Sequence, residues 1–107
     1  MDTQVNNQIK NNDIGIKLVS IISDALRIAK ENILPDTRII TDLNAESLDV
    51  LDIRFSIEQE FGFKIGEHEI FDAIGDGMSP AEFSELFTVS YLTEFVDKKI
   101  QSLTADQ

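Results

Sequence analysis

Ser47, set in Glu46-Ser47-Leu48-Asp49 at the head of an acidic and apolar stretch, is the side chain of this sequence with the most to explain. As a nucleophile it would need a base, and the only histidine is His68. The residues around Ser47 form neither the small-residue elbow that exposes a hydrolase serine nor a local pairing with lysine. Asp49 and Asp52 could share a proton or hold a cation, yet their spacing is that of neighbours on one helix face. A calcium loop needs a denser run of oxygen ligands around a turn glycine, which Asp72-Ala73-Ile74-Gly75-Asp76-Gly77 lacks. No lysine follows Gly75 and Gly77 and no strand precedes them, so they read as turn residues and not as a phosphate cradle. With no cysteine there is no thiol nucleophile, no disulfide and no thiolate zinc cluster. No catalytic constellation and no metal site emerges, and the chain reads as a protein that is not an enzyme.

Position explains Ser47 better than reactivity. A serine in the first turn of a helix lies beside unpaired backbone amides, where a phosphate is favoured by about 0.3–1 kcal/mol. The same place suits a plain helix cap. Composition and geometry leave both readings open.

The helix that would carry Ser47 spans 47–61 and is stopped by Gly62. At 100° per residue its apolar side chains fall into two stripes, Val50, Ile53, Ile57 and Phe61 on one and Leu48, Leu51 and Phe55 on the other. Asp49, Asp52, Ser56, Gln59 and Glu60 separate them on one side, Arg54 and Glu58 on the other. Only one stripe can face an ordinary core. A preceding helix is expected over 14–30, where Ile14, Leu18, Ile21, Ile22, Ala25 and Ala29 recur at helical spacing before Leu34-Pro35 stops it. The loop between the two helices is rich in Ile33, Leu34, Ile39, Ile40 and Leu43 and should pack across them. A short helical turn near 67–73 is expected next. Ser79-Pro80-Ala81-Glu82 then carries the three marks of a helix start, for a helix over 80–87. Thr88 can cap a last helix containing Val89, Leu92, Phe95, Val96 and Ile100, with Lys98 and Lys99 near its end. Residues 1–13 and 103–107 are polar and read as tails around a domain at 14–102. The fold class is all-α, a four-helix bundle with an extra short helix inserted before the last helix.

Of 107 residues, 42% are hydrophobic and seven are Phe, enough for one folded core. The net charge of −11 repels phosphate backbones and anionic lipid heads, so nucleic acid and stable membrane binding are not expected, and basic surfaces are the natural partners. Without a leader or a membrane-length apolar run, the sequence reads as a cytoplasmic protein, and as a monomer.

The stretch Asp42-Leu43-Asn44-Ala45-Glu46-Ser47-Leu48-Asp49, with the acidic helix after it, resembles the acyl carrier protein family. In that family Asp-Leu-Gly-x-Asp-Ser-Leu-Asp opens the second helix. Phe63-Lys64-Ile65-Gly66 is similar to its entry to a short third helix, and Phe87-Thr88-Val89 to the start of its last one. The resemblance covers residues 14–102. It implies that Ser47 carries 4′-phosphopantetheine, transferred from coenzyme A by a phosphopantetheinyl transferase, and that acyl chains ride on that arm as thioesters. The thiol the sequence lacks would be the arm's. It also implies docking of acyl-carrier synthases, elongation enzymes and acyltransferases with basic surfaces onto Leu48, Leu51 and Phe55, bordered by Glu46, Asp49, Asp52 and Gln59.

The sequence departs from the family pattern in places. Asn44 stands for glycine, Glu46 for aspartate, Gly66 for proline, and Arg54 for an apolar residue; Arg54 could pair with Glu58 four residues on, or snorkel at the edge of the bundle. The connection holding Phe71, Ile74, Met78, Phe83, Leu86 and Phe87 is longer than the family's. It resembles that of specialised carriers of very-long-chain fatty acids for lipid A, and implies either an acyl pocket or a larger core. Two alternatives stay in view: a carrier for polyketide, nonribosomal peptide or D-alanine transfer, and an unmodified acidic helical adaptor.

Overall fold

The computed structural model describes residues 11–66, 69–74 and 78–105, and these are all-helical apart from loops and one isolated β-bridge. Five α-helices follow in order: α1 Asn11–Leu26, α2 Ser47–Phe61, α3 Glu69–Ile74, α4 Pro80–Leu86 and α5 Val89–Ala105. The short α4 is the helix expected ahead of the last one.

Helix α1 packs against α5 and α2. Its stripe behaves as the spacing predicts, with Ile14, Leu18 and Ile22 fully buried, and Ile21 and Ala25 packed at the margin of the core. Burying each such aliphatic side chain is worth about 1.5–3 kcal/mol. Ile53 and Ile57 from α2 and Leu92 and Val96 from α5 meet them in the same core.

The first helix ends earlier than expected. It stops at Leu26, nine residues short of Pro35, because Arg27 takes the left-handed conformation (φ 59°) and Ile28 N–H turns back to Ser23 O at 3.2 Å. That bond is the helix-closing geometry glycine usually provides. Ala29, expected on the buried stripe, is consequently exposed, and a 3-10 turn follows at Lys30–Asn32. Helix α5 runs on to Ala105, so Lys98 and Lys99 lie away from its last turn and act otherwise than on its dipole. Lys99 instead pairs with Glu69 at the head of α3.

The connection from α1 to α2 packs through most of its apolar residues, but Leu34, expected to pack with them, is exposed. Ile33, Ile39 and Thr37 are buried. Ile39 N–H donates to Phe87 O at 3.0 Å and Val89 N–H to Thr37 O at 3.1 Å, a β-bridge that pins this loop to the junction of α4 and α5. Arg38 fastens the same junction through Asp42 at 2.9 Å and through Glu85.

The longer connection brings aromatic rings together where it is described. Phe71 stacks on Phe83 and Phe83 on Phe87, each pair with centroids 4.9 Å apart, and Tyr91 meets Phe87 edge-on. Tyr91 OH donates to Ile70 O at 2.7 Å, and burial pushes its phenol above the ordinary value. Phe87 is fully buried, whereas Leu86 faces solvent.

Candidate functional site

The turn before α2 decides how Ser47 is presented. Arg38 N–H donates to Asp42 Oδ2 at 2.8 Å, and Asp42 N–H returns to Arg38 O at 2.8 Å. The Arg38 guanidinium, hydrogen-bonded to the Asp42 carboxylate, holds that carboxyl below its ordinary pKa. Asn44 sits in the left-handed region at φ 59°, the conformation that asparagine tolerates in place of glycine. Ala45 N–H then donates to Ile39 O at 3.3 Å, and Ala45 is buried. With Ala45 anchored inward, the chain enters α2 two residues later with Ser47 outward and exposed.

Ser47 is the first residue of α2 and is not its cap. Glu46 holds the cap position, and its backbone N–H donates to Asp49 Oδ2 at 2.9 Å. The first helical bond runs from Val50 N–H to Glu46 O at 3.0 Å. No hydrogen bond engages the Ser47 hydroxyl among the described residues. The helix therefore does not need this side chain, and the capping reading of Ser47 falls.

A phosphate on Ser47 Oγ would lie beside the free amides of the first turn, worth about 0.3–1 kcal/mol. Each carboxylate at ~6 Å in water opposes it by roughly 0.7 kcal/mol. With Glu46 and Asp49 beside it the repulsion, about 1.4 kcal/mol together, outweighs the amides, so the helix end alone does not select a phosphate. What fits the group is an exposed hydroxyl, unengaged, on a rigid helix.

The two stripes of α2 separate as expected. Ile53 and Ile57 are buried, with Val50 and Phe61 packed against the core. Leu48, Leu51 and Phe55 are 75%, 37% and 47% exposed, so all three reach solvent, Leu51 least. Three large apolar side chains left in water on one face, next to exposed Asp52 and Gln59 and half-buried Asp49, form a small greasy patch with an acidic border. On the far border Glu60 is paired with Lys17 of α1 at 2.7 Å.

Arg54 does not pair with Glu58. The Glu58 carboxylate accepts from Ile65 N–H at 2.7 Å and so closes the loop after Gly62, which ends α2 at φ 79°. Arg54 lies over the Phe55 ring, 5.2 Å from its centroid. The sequence signal missed for Glu58 was its place four residues ahead of a helix-ending glycine, where a side chain can reach the returning chain. Gly66 donates its N–H to Glu69 Oε1 at 2.8 Å, a bond the family's usual proline could not make. That bond and the Lys99 ammonium hold the Glu69 carboxyl below its ordinary pKa, the ammonium contributing more. His68 lies outside the described residues. No group of three or more potential metal ligands occurs among the described residues, and no described helix is long and apolar enough to cross a membrane.

Comparison with known proteins agrees with the geometry. A family model described as "Phosphopantetheine attachment site" matches residues 17–74, a span containing Ser47. The acyl carrier protein of Borreliella burgdorferi (strain ZS7) is 40% identical over 68 residues, 62% of this chain and 85% of that protein. "Acyl carrier protein AcpXL" of Mesorhizobium japonicum is 33% identical over 89 residues, 83% of this chain and 94% of that protein. The protein of the same name from Rhizobium meliloti (strain 1021) is 35% identical over 82 residues, 77% of this chain and 84% of that protein.

Proposed function

The chain belongs to the acyl carrier protein family, built around a phosphopantetheine attachment site, and from that premise we propose that Ser47 is the attachment residue and that the exposed face of α2 is where partner enzymes dock. The observation that carries the first part is the capping of α2 by Glu46 and Asp49, which leaves the Ser47 hydroxyl exposed and unengaged. When bound, the phosphopantetheine supplies the thiol on which an acyl chain travels, the group this cysteine-free chain lacks.

Loading would proceed by phosphoryl transfer from coenzyme A. Ser47 Oγ forms the new P–O bond to the pantetheine phosphate, the bond to adenosine 3′,5′-bisphosphate breaks, and the hydroxyl proton passes to a base of the phosphopantetheinyl transferase. Leu48, Leu51 and Phe55 give the transferase and the acyl-handling enzymes an apolar contact. Glu46, Asp49, Asp52 and Gln59 border it and favour a basic rim on the partner. In this reading the protein is acted upon and catalyses nothing itself, as a cytoplasmic monomer.

Likeness to the AcpXL proteins, at 33–35% identity over 82–89 residues, supports a specialised carrier of long chains in lipid synthesis over one for polyketide, peptide or D-alanine transfer. The stacked rings of Phe71, Phe83 and Phe87 then serve as an enlarged core.

Incubation with coenzyme A and a broad-specificity transferase, followed by intact-mass measurement and fragmentation, tests the assignment. One phosphopantetheine on Ser47, absent from Ser47→Ala, is the expected result. A bare protein, or an addition that persists in Ser47→Ala, would overturn it.

A further inference from the structure

Arg54 is the only cation of α2. Seven residues beyond Ser47 the helix has made nearly two turns, so Arg54 stands about 10 Å along the axis and within about 20° of the Ser47 line. It occupies the seam between buried Ile53 and Ile57 and exposed Leu51 and Phe55. Its Nε is buried without a hydrogen-bond partner. The acid that should satisfy it, Glu58, is taken by Ile65 N–H. Leaving a buried donor unpaired costs more than a typical hydrogen bond gains, so such an atom calls for an acceptor that arrives from elsewhere.

We propose that this acceptor is a carbonyl oxygen of the phosphopantetheine arm, and that Arg54 is a positioning residue holding the arm along the seam of α2. The inference rests on Ser47 as the attachment residue. Because Nε is covered, the broad surface of a docking enzyme is a poor source of the missing acceptor, and a thin chain tethered on the same helical line is a good one. Tethering also raises the local concentration of its carbonyls to the millimolar range. The phosphate stays at Ser47, about two turns away. What comes within reach of Arg54 is therefore a neutral acceptor: an amide carbonyl of the arm or, after acylation, the thioester carbonyl. These suit a guanidinium whose charge already rests on the Phe55 face. A lysine could not substitute, since its stem carries no donor at the position of Nε.

The test uses 15N-labelled protein before and after loading, with intact mass establishing that the arm is on Ser47. Loading should slow exchange of the Arg54 Nε–H with water about tenfold, the effect of one added hydrogen bond. In loaded Arg54→Lys, which carries the same added mass, the amide protons of an arm transferred from 15N-labelled coenzyme A should lose the protection they show in the unaltered protein. Exchange at Nε that is equal in the bare and loaded forms would overturn the proposal while leaving Ser47 as the attachment residue. Slowing that appears only when a partner enzyme is added would assign Arg54 to protein docking and overturn it equally. If no arm enters at Ser47, both readings fail together.

Discussion

The Glu46 backbone N–H donates to the Asp49 carboxylate at 2.9 Å across Ser47, so the residues flanking the serine do the capping that the serine does not. Ser47→Ala should therefore change unfolding free energy by less than about 0.5 kcal/mol, as at an ordinary exposed site. Asp49→Ala should cost about 0.5–2 kcal/mol through the lost cap. Urea unfolding of the two variants checks the contrast. A larger loss in Ser47→Ala than in Asp49→Ala would return the cap to the serine.

The same double duty makes Asp49 a poor probe of docking and Asp52 a good one. Asp52 is exposed and takes no part in the cap. Asp52→Lys should slow transferase loading several-fold at low salt, because steered encounters depend on the sign of the rim. The deficit should fade toward 1 M salt, where the screening length is about 3 Å. Loading rates measured across salt decide it; a deficit independent of salt would remove steering from the account.

Acid should loosen α3 before it loosens the rest. Glu69 is held below the ordinary glutamate pKa, first by Lys99 and then by the Gly66 N–H. A carboxyl whose folded pKa is depressed adds stability above its unfolded pKa and loses it as pH falls through the folded one. Between neutral pH and the acid side of the ordinary glutamate range, protection of the α3 amides relative to their intrinsic exchange rates should fall while that of α1 holds. Glu69→Gln should flatten this dependence. An unchanged profile in the variant would show that another group is responsible.

Much of this arrangement is written in the sequence, and the exceptions have local causes. The limits of α2, its two stripes and the Ser79 cap of α4 follow from periodicity and from glycine, proline and serine placed at helix ends. Glu82 N–H to Ser79 Oγ at 3.2 Å, and Tyr91 N–H to Thr88 Oγ1 at 3.0 Å, are the caps those residue types predict. The end of α1 was hidden because an arginine, Arg27, takes the left-handed turn that glycine usually signals. Glu58 was misread because spacing within a helix offers Arg54 as its neighbour, whereas only the returning chain brings Ile65 N–H to its carboxylate. Local pattern sets each helix; which side chain wins a contested partner is settled by tertiary approach.

That contest yields a sharp comparison. Glu58 bonds a partly buried N–H, and removing a charged acceptor from such a donor costs roughly 1.5–3 kcal/mol. Glu58→Ala should lose about that much in urea unfolding, and Arg54→Lys should lose far less, since no ion pair joins the two residues. Were the pair the stabilising contact, the two substitutions would cost similar amounts and the double variant would cost no more than either. Additive costs in the double variant, with most of the loss from Glu58, are the expected outcome of a double-mutant cycle.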